Sequence, residues 1–213
     1  MNRYLTGAAV WPDGCSKLRV YFTPRLDEVK PLIEAYLPVL EKFDFLSPVP
    51  AECLHGTTAV IDDRPTSAVS PTEMKTLESL LRERIGELKS FTVIAGGAHA
   101  LRRGVLVDLT PDDEYGELQD RVKSAISDTL GEDAAQPWHD GGRPHLTFTY
   151  GTGPGDSGHV QDKLRNATSL RVPLTVTEVR LVDVSQDTVR QQLRWRELAM
   201  IPLAHDGTRA DDR

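Results

Sequence analysis

The chain has 213 residues, 39% of them hydrophobic and 27% charged, the balance of a soluble globular protein. Its formal net charge of −7 argues against the basic stripe of a protein that tracks duplex nucleic acid, and leaves a short end or a small nucleotide, met by local arginines, as the nucleic-acid chemistry to expect. No apolar run is as long as a membrane span, and the opening MNRYLTGAAVWPDGCSKL lacks a signal-peptide core, so a cytoplasmic protein without a membrane partner is expected.

The alternating run LRVYFT at 18–23 predicts a strand. From Asp27 to Phe43 apolar residues recur at helical spacing, with Pro31 in the first turn and Pro38 expected to kink or interrupt the helix. AECLHGTTAVID at 51–62 predicts a second strand. A helix then opens with Ser70 as N-cap, Pro71 at its first position and Glu73 completing a capping box; Met74, Leu77, Leu81, Ile85 and Leu88 form its apolar face. Strands are expected at 91–96 and 104–109, joined by a loop that carries His99, Arg102 and Arg103. Thr110 and Pro111 open another helix to about Leu130, with Tyr115, Leu118, Val122 and Ile126 inward and Gly131 as its stop. RPHLTFTY predicts the next strand, followed by a glycine-rich turn, a short helix near 156–166 and closing strands at 172–184 and 193–203. The polar residues 204–213 read as a flexible tail. Cys15 and Cys53, without CxxC spacing, read as reduced thiols.

The two halves repeat an order. VYFTPRLDEV and VDLTPDDEY both run strand, Thr-Pro, acidic helix start, and 32 residues separate Thr23 from His55 while 35 separate Thr110 from His145. Each count ends on a histidine followed two places later by a threonine, which predicts an internal duplication with one H-x-T per half. Residues i and i+2 of a strand project to the same face, so each motif places an imidazole beside a hydroxyl. Two such strands facing one cleft suit a phosphodiester: one imidazole takes a proton from water, the other gives one to the leaving oxygen, and the threonines donate to nonbridging oxygens. No metal or other cofactor is required.

At HGTT, 55–58, and HLTF, 145–148, the chain resembles the two-histidine (2H) phosphoesterase superfamily, also called the 2′-5′ RNA ligase-like or RNA cyclic phosphodiesterase family. The resemblance runs from about Leu18 to Leu203. It implies a single α+β domain over 1–203, a bilobal duplicated fold with pseudo-repeats at about 18–100 and 101–203. Two antiparallel sheets would form a central cleft with helices outside. It also implies hydrolysis of 2′,3′-cyclic phosphates or of related cyclic and 2′-5′-linked nucleotides, with a small nucleotide or an RNA terminus as substrate. His55 would be the general acid, His145 the general base, and Thr57 and Thr147 the phosphate-binding groups. A nucleotide-binding module with little turnover, or a 2′-5′ RNA ligase, is the alternative. The family has an apolar residue where this chain has Gly56, which opens the orientation of Thr57 and lets Thr58 share its role.

Further residues frame the expected cleft. Arg143, two places before His145, is placed to meet phosphate or base, a surface salt bridge being the other reading. Tyr21, Trp138 and Trp195 offer aromatic faces to a base or to the core, and Arg190, Arg194 and Arg196 are rim residues with no spacing to choose among them. A metal trio of His139, Asp140 and His145 has no recognised ligand spacing. His99, His159 and His205 read as surface residues, and GTGPGDSG at 151–158 lacks the Lys-Ser/Thr ending of a P-loop.

Overall fold

The structure is a computed structural model that describes residues 1–135, 143–167 and 170–204. His139, Asp140, Trp138 and His205, and all of the tail beyond Ala204, lie outside the described residues. Ala204 itself is tied in, donating to Leu88 O at 2.8 Å and accepting from Ser90 N at 3.0 Å.

The elements run β1 (Ser16–Phe22), α1 (Leu26–Leu40), β2 (Leu46–Pro48), β3 (Gly56–Val60), α2 (Pro71–Ile85), β4 (Phe91–Leu101), β5 (Gly104–Thr110), α3 (Asp113–Leu130), β6 (His145–Gly151), α4 (Ser157–Ala167), β7 (Arg171–Val176), β8 (Glu178–Asp187) and β9 (Gln192–Pro202). The fold is α+β, but the expectation of two sheets is corrected: among the described residues nine strands form one curled antiparallel sheet in the order β7-β4-β5-β6-β3-β1-β8-β9, with β2 added beside β6. The join lies between the two histidine strands, where Gly56 pairs with Leu146. Convergence of the motifs brings the open edges of β3 and β6 side by side, and unpaired strand edges are satisfied by pairing.

Four local expectations differ from what forms. His99, expected in the loop, lies on β4, which runs on to Leu101 and pairs His99 with Leu106. Pro38 does not interrupt α1, which continues to Leu40. It sits in the last turn, with only Val39 and Leu40 of the helix beyond it, so a kink there displaces little. The single alternating run 172–184 is two strands broken at Thr177: β7 pairs with β4 at one edge of the sheet, whereas β8 pairs with β1 and β9 in the other half. The predicted strand 51–62 is extended only over 56–60, after a short 3-10 turn at Ala51–Cys53.

Each half borrows its helix cover from the other. The helix that follows β1, α1, packs on β7 and α4, and the helix that follows β5, α3, packs on β3 and α2. Tyr115, Leu118, Val122 and Ile126 of α3 are fully buried, each contributing about 1.5–3 kcal/mol of apolar burial. Helix α2 starts with a reciprocal capping box, Glu73 N donating to Ser70 Oγ at 3.2 Å and Ser70 N to Glu73 Oε2 at 2.8 Å. Among the described residues no helix is long and apolar enough to cross a membrane. Cys15 and Cys53 are free thiols.

Candidate active site

His55 immediately precedes β3 and His145 begins β6, so both sit where a loop becomes a strand. Each ring is tethered the same way: His55 Nδ1 lies 2.7 Å from Cys53 O, and His145 Nδ1 lies 2.8 Å from Arg143 O. A carbonyl oxygen only accepts, so Nδ1–H donates in both and Nε2 is the nitrogen left for acid–base work. The carbonyl two residues upstream thus orients both imidazoles.

The strands repeat a second device. Tyr21 pairs with Thr57 but Val20 with Ala59, which makes Thr58 an extra, bulged residue in β3. In the other half Leu106 pairs with Thr147 and Val105 with Thr149, which leaves Phe148 in the same position. The bulge therefore does not come from Gly56. The glycine answers to packing: a Cβ there would stand 2.7 Å from the Tyr115 hydroxyl and 3.3 Å from Leu109 Cδ1. A buried tyrosine of α3 occupies the room that an apolar residue would take.

His55, Thr57, His145 and Thr147 line one cavity of about 720 Å³, so both motifs meet there and Thr57 faces it. Arg143 also lines it while bonding Asp112 through two contacts of 3.0 Å. Two of the sequence-derived binding residues do not border it. Thr58 is buried, only 2% exposed. Tyr21 is buried beneath the site, its ring stacked on His55 at 3.8 Å between centroids and 17° between planes, with Trp195 edge-on behind it at 6.3 Å.

The repeated register makes Leu106 the counterpart of Tyr21, and this breaks the symmetry. The aromatic plate leaves His55 6% exposed, whereas His145 is half-buried. Burial pushes the His55 pKa down to about 4; the Arg19 and His145 charges add to this and the hydrogen bond to Cys53 O opposes it.

The remaining residues divide as follows. Arg190 pairs with Asp187 and Arg196 with Asp183, and Arg194 Nη1 lies 3.9 Å from Cys53 Sγ. His99 meets Asp108 at 3.3 Å, and His159 stands edge-on to Phe43. Among the described residues there is no group of three His, Cys, Asp or Glu side chains placed to hold a metal ion.

Sequence reasoning did not assign Tyr4, Leu106, Asp108, Tyr150 and Leu193 to the site, nor Arg102 and Arg103, all of which line the cavity. The two arginines were visible as a loop, but their distance from either motif is set by the β4–β5 pairing. Tyr4 arrives because the N-terminal segment crosses to β6, Tyr4 N donating to Gly151 O at 2.8 Å.

The family described as the 2′-5′ RNA ligase superfamily matches residues 23–188. No curated protein sequence is significantly similar to this one. Among solved structures, TT0787 of Thermus thermophilus superposes with a TM-score of 0.69 at 16% identity, over 89% of this chain and 99% of that one. E. coli LigT complexed with ATP gives 0.62 at 21% identity over 89% and 99% of the two chains. The MHV ns2 PDE domain gives 0.54 at 12% over 80% and 99%. These likenesses show a shared fold.

Proposed function

Because the chain belongs to the 2′-5′ RNA ligase superfamily of 2H phosphoesterases, we propose that it is a metal-independent phosphodiesterase that opens 2′,3′-cyclic phosphates or hydrolyses related cyclic or 2′-5′-linked nucleotides. The observation that carries this reading is the pair of identically tethered imidazoles, each with its H-x-T threonine, lining one cavity. Structures of E. coli LigT with ATP and with 3′-AMP support a nucleotide as the ligand class.

A phosphodiester seated between the motifs receives hydrogen bonds on its nonbridging oxygens from the Thr57 and Thr147 hydroxyls, which stabilise the charge that develops there. One imidazole takes a proton from water as its oxygen bonds to phosphorus. The other delivers its proton to the ribose oxygen as the P–O bond breaks. The difference in burial between the two rings supports one assignment of these roles. His55, held neutral beneath Tyr21, acts as the base, and the more exposed His145 carries the proton as the acid. This reverses the assignment that the family resemblance implies. An anionic phosphate beside His55 favours its protonated form once the proton has been taken from water.

The test is incubation with 2′,3′-cyclic nucleotides in EDTA, with products resolved chromatographically. Turnover to a nucleoside monophosphate is expected. Saturable binding without product would replace the enzyme by a binding module, and activity restored only by added zinc or manganese would end the metal-independent mechanism.

A further inference from the structure

The turn between β4 and β5 carries Arg102 and Arg103, both exposed and both lining the cavity that holds the histidines. Among the described residues neither is in an ion pair, whereas Arg143 of the same cavity is engaged by Asp112. The turn is pinned from two sides: Asn2 N donates to Arg102 O at 2.7 Å, and Gly151 N donates to Arg103 O at 2.8 Å. In a protein of net charge −7, two guanidiniums without a carboxylate partner are thus held at one end of the cavity by fixed backbone. A binding turn that is already ordered loses little entropy on meeting its ligand.

Register measures how far this end lies from the chemistry. Asp108 pairs with His145 and Gly104 with Tyr150. Those four steps along β5 span ~13 Å at ~3.3 Å per residue. With the backbone of the turn that far from His145, the two arginine side chains are placed to meet a group other than the phosphate between the two imidazoles. Along the cavity wall stand Tyr4, Leu106 and Leu193, apolar surface of the kind that suits a base and sugar.

We propose that Arg102 and Arg103 form a second anion subsite, which takes a phosphate other than the one hydrolysed. The favoured substrate is then a nucleotide bearing a further phosphate, such as an oligonucleotide end, rather than a simple cyclic mononucleotide. The assignment rests on the phosphoesterase reading for its scissile phosphate. The fork-shaped arginine donors suit the terminal or backbone oxygens of such a group.

The experiment compares kcat/KM for adenosine 2′,3′-cyclic phosphate with that for the same nucleotide bearing a 5′-phosphate, in wild type and in Arg102→Gln/Arg103→Gln. Wild type should prefer the 5′-phosphorylated substrate by about 10–100-fold, mostly through KM, as charge-assisted hydrogen bonds allow. That ratio should fall toward unity in the double variant and, in wild type, with added salt. Equal ratios in the two proteins would overturn the proposal. Calorimetry with adenosine 2′-phosphate and adenosine 2′,5′-bisphosphate repeats the comparison without turnover. A bisphosphate preference present in wild type and lost in the variant upholds the subsite even if no cyclic phosphate is hydrolysed, a result that would sink only the enzymatic reading. A preference absent from wild type, or unchanged in the variant, removes the subsite.

Discussion

The Tyr21 ring lies flat against the His55 imidazole, 3.8 Å between centroids and 17° from parallel, and no aromatic ring occupies the matching position, Leu106, beside His145. One substitution between two repeated strands therefore gives the two histidines different environments. Tyr21→Leu should lower kcat about 10-fold or more with a smaller change in KM, because a loosened ring is a misplaced proton-transfer group. Tyr21→Phe keeps the plate and should keep kcat near wild type. If Tyr21→Leu and Tyr21→Phe behave alike in steady-state kinetics, stacking is not what positions His55.

Both histidines are needed for the proposed reaction. His55→Ala and His145→Ala should each cost about 10²–10⁴ in rate, and Thr57→Val or Thr147→Val about 10–10³, the loss of one donor to developing charge. A nitrophenyl phosphodiester separates the roles, since its leaving group departs without a proton. On that substrate the acid variant, His145→Ala, should recover most of its activity while His55→Ala stays impaired. Recovery by His55→Ala instead would restore the assignment in which His55 is the acid.

The depressed pKa of His55 links charge to stability. Its folded value of about 4 lies below its ordinary value of about 6.5, so between these pH values the unfolded chain binds the extra proton. The stability associated with the neutral ring is fully present above about pH 6.5 and is lost as pH falls toward 4. Urea unfolding at pH 7, 5.5 and 4 should show this loss, with a shallower fall in His55→Asn. In NMR titrations, the ring signal missing from His55→Asn should move well below pH 6.5. The limbs of any pH–rate bell belong to the pair rather than to either residue.

Gly56 and Tyr115 should be coupled. Gly56→Ala directs a methyl group to within 2.7 Å of the Tyr115 hydroxyl, in a fully buried contact with little room to yield, and should destabilise by about 1–3 kcal/mol. Combining it with Tyr115→Phe removes the clashing oxygen and should recover part of that loss. A double-mutant cycle from denaturant midpoints that shows simple additivity would mean the glycine is present for another reason.

Local chemistry is what the sequence makes legible. The capping box at Ser70 and Glu73, the inward face of α3 and the two H-x-T motifs all follow from spacing, because helix and strand periodicities fix which neighbouring residues share a face. The repeated order of strand, Thr-Pro, helix and histidine was enough to expect one cleft. Tertiary structure decided the rest. Whether the histidine strands belong to two sheets or one depends on a single pairing, Gly56 with Leu146, between residues 90 positions apart. The break at Thr177 carries no turn signal, since β7 and β8 both alternate and only their partners differ. Arg102, Arg103 and Tyr4 reach the cavity through a hairpin register and a terminal crossing, and Tyr21 reaches His55 across a bulged ladder. Such contacts are set by strand pairing between distant segments, and the periodicity of one segment contains no record of the partner it will meet.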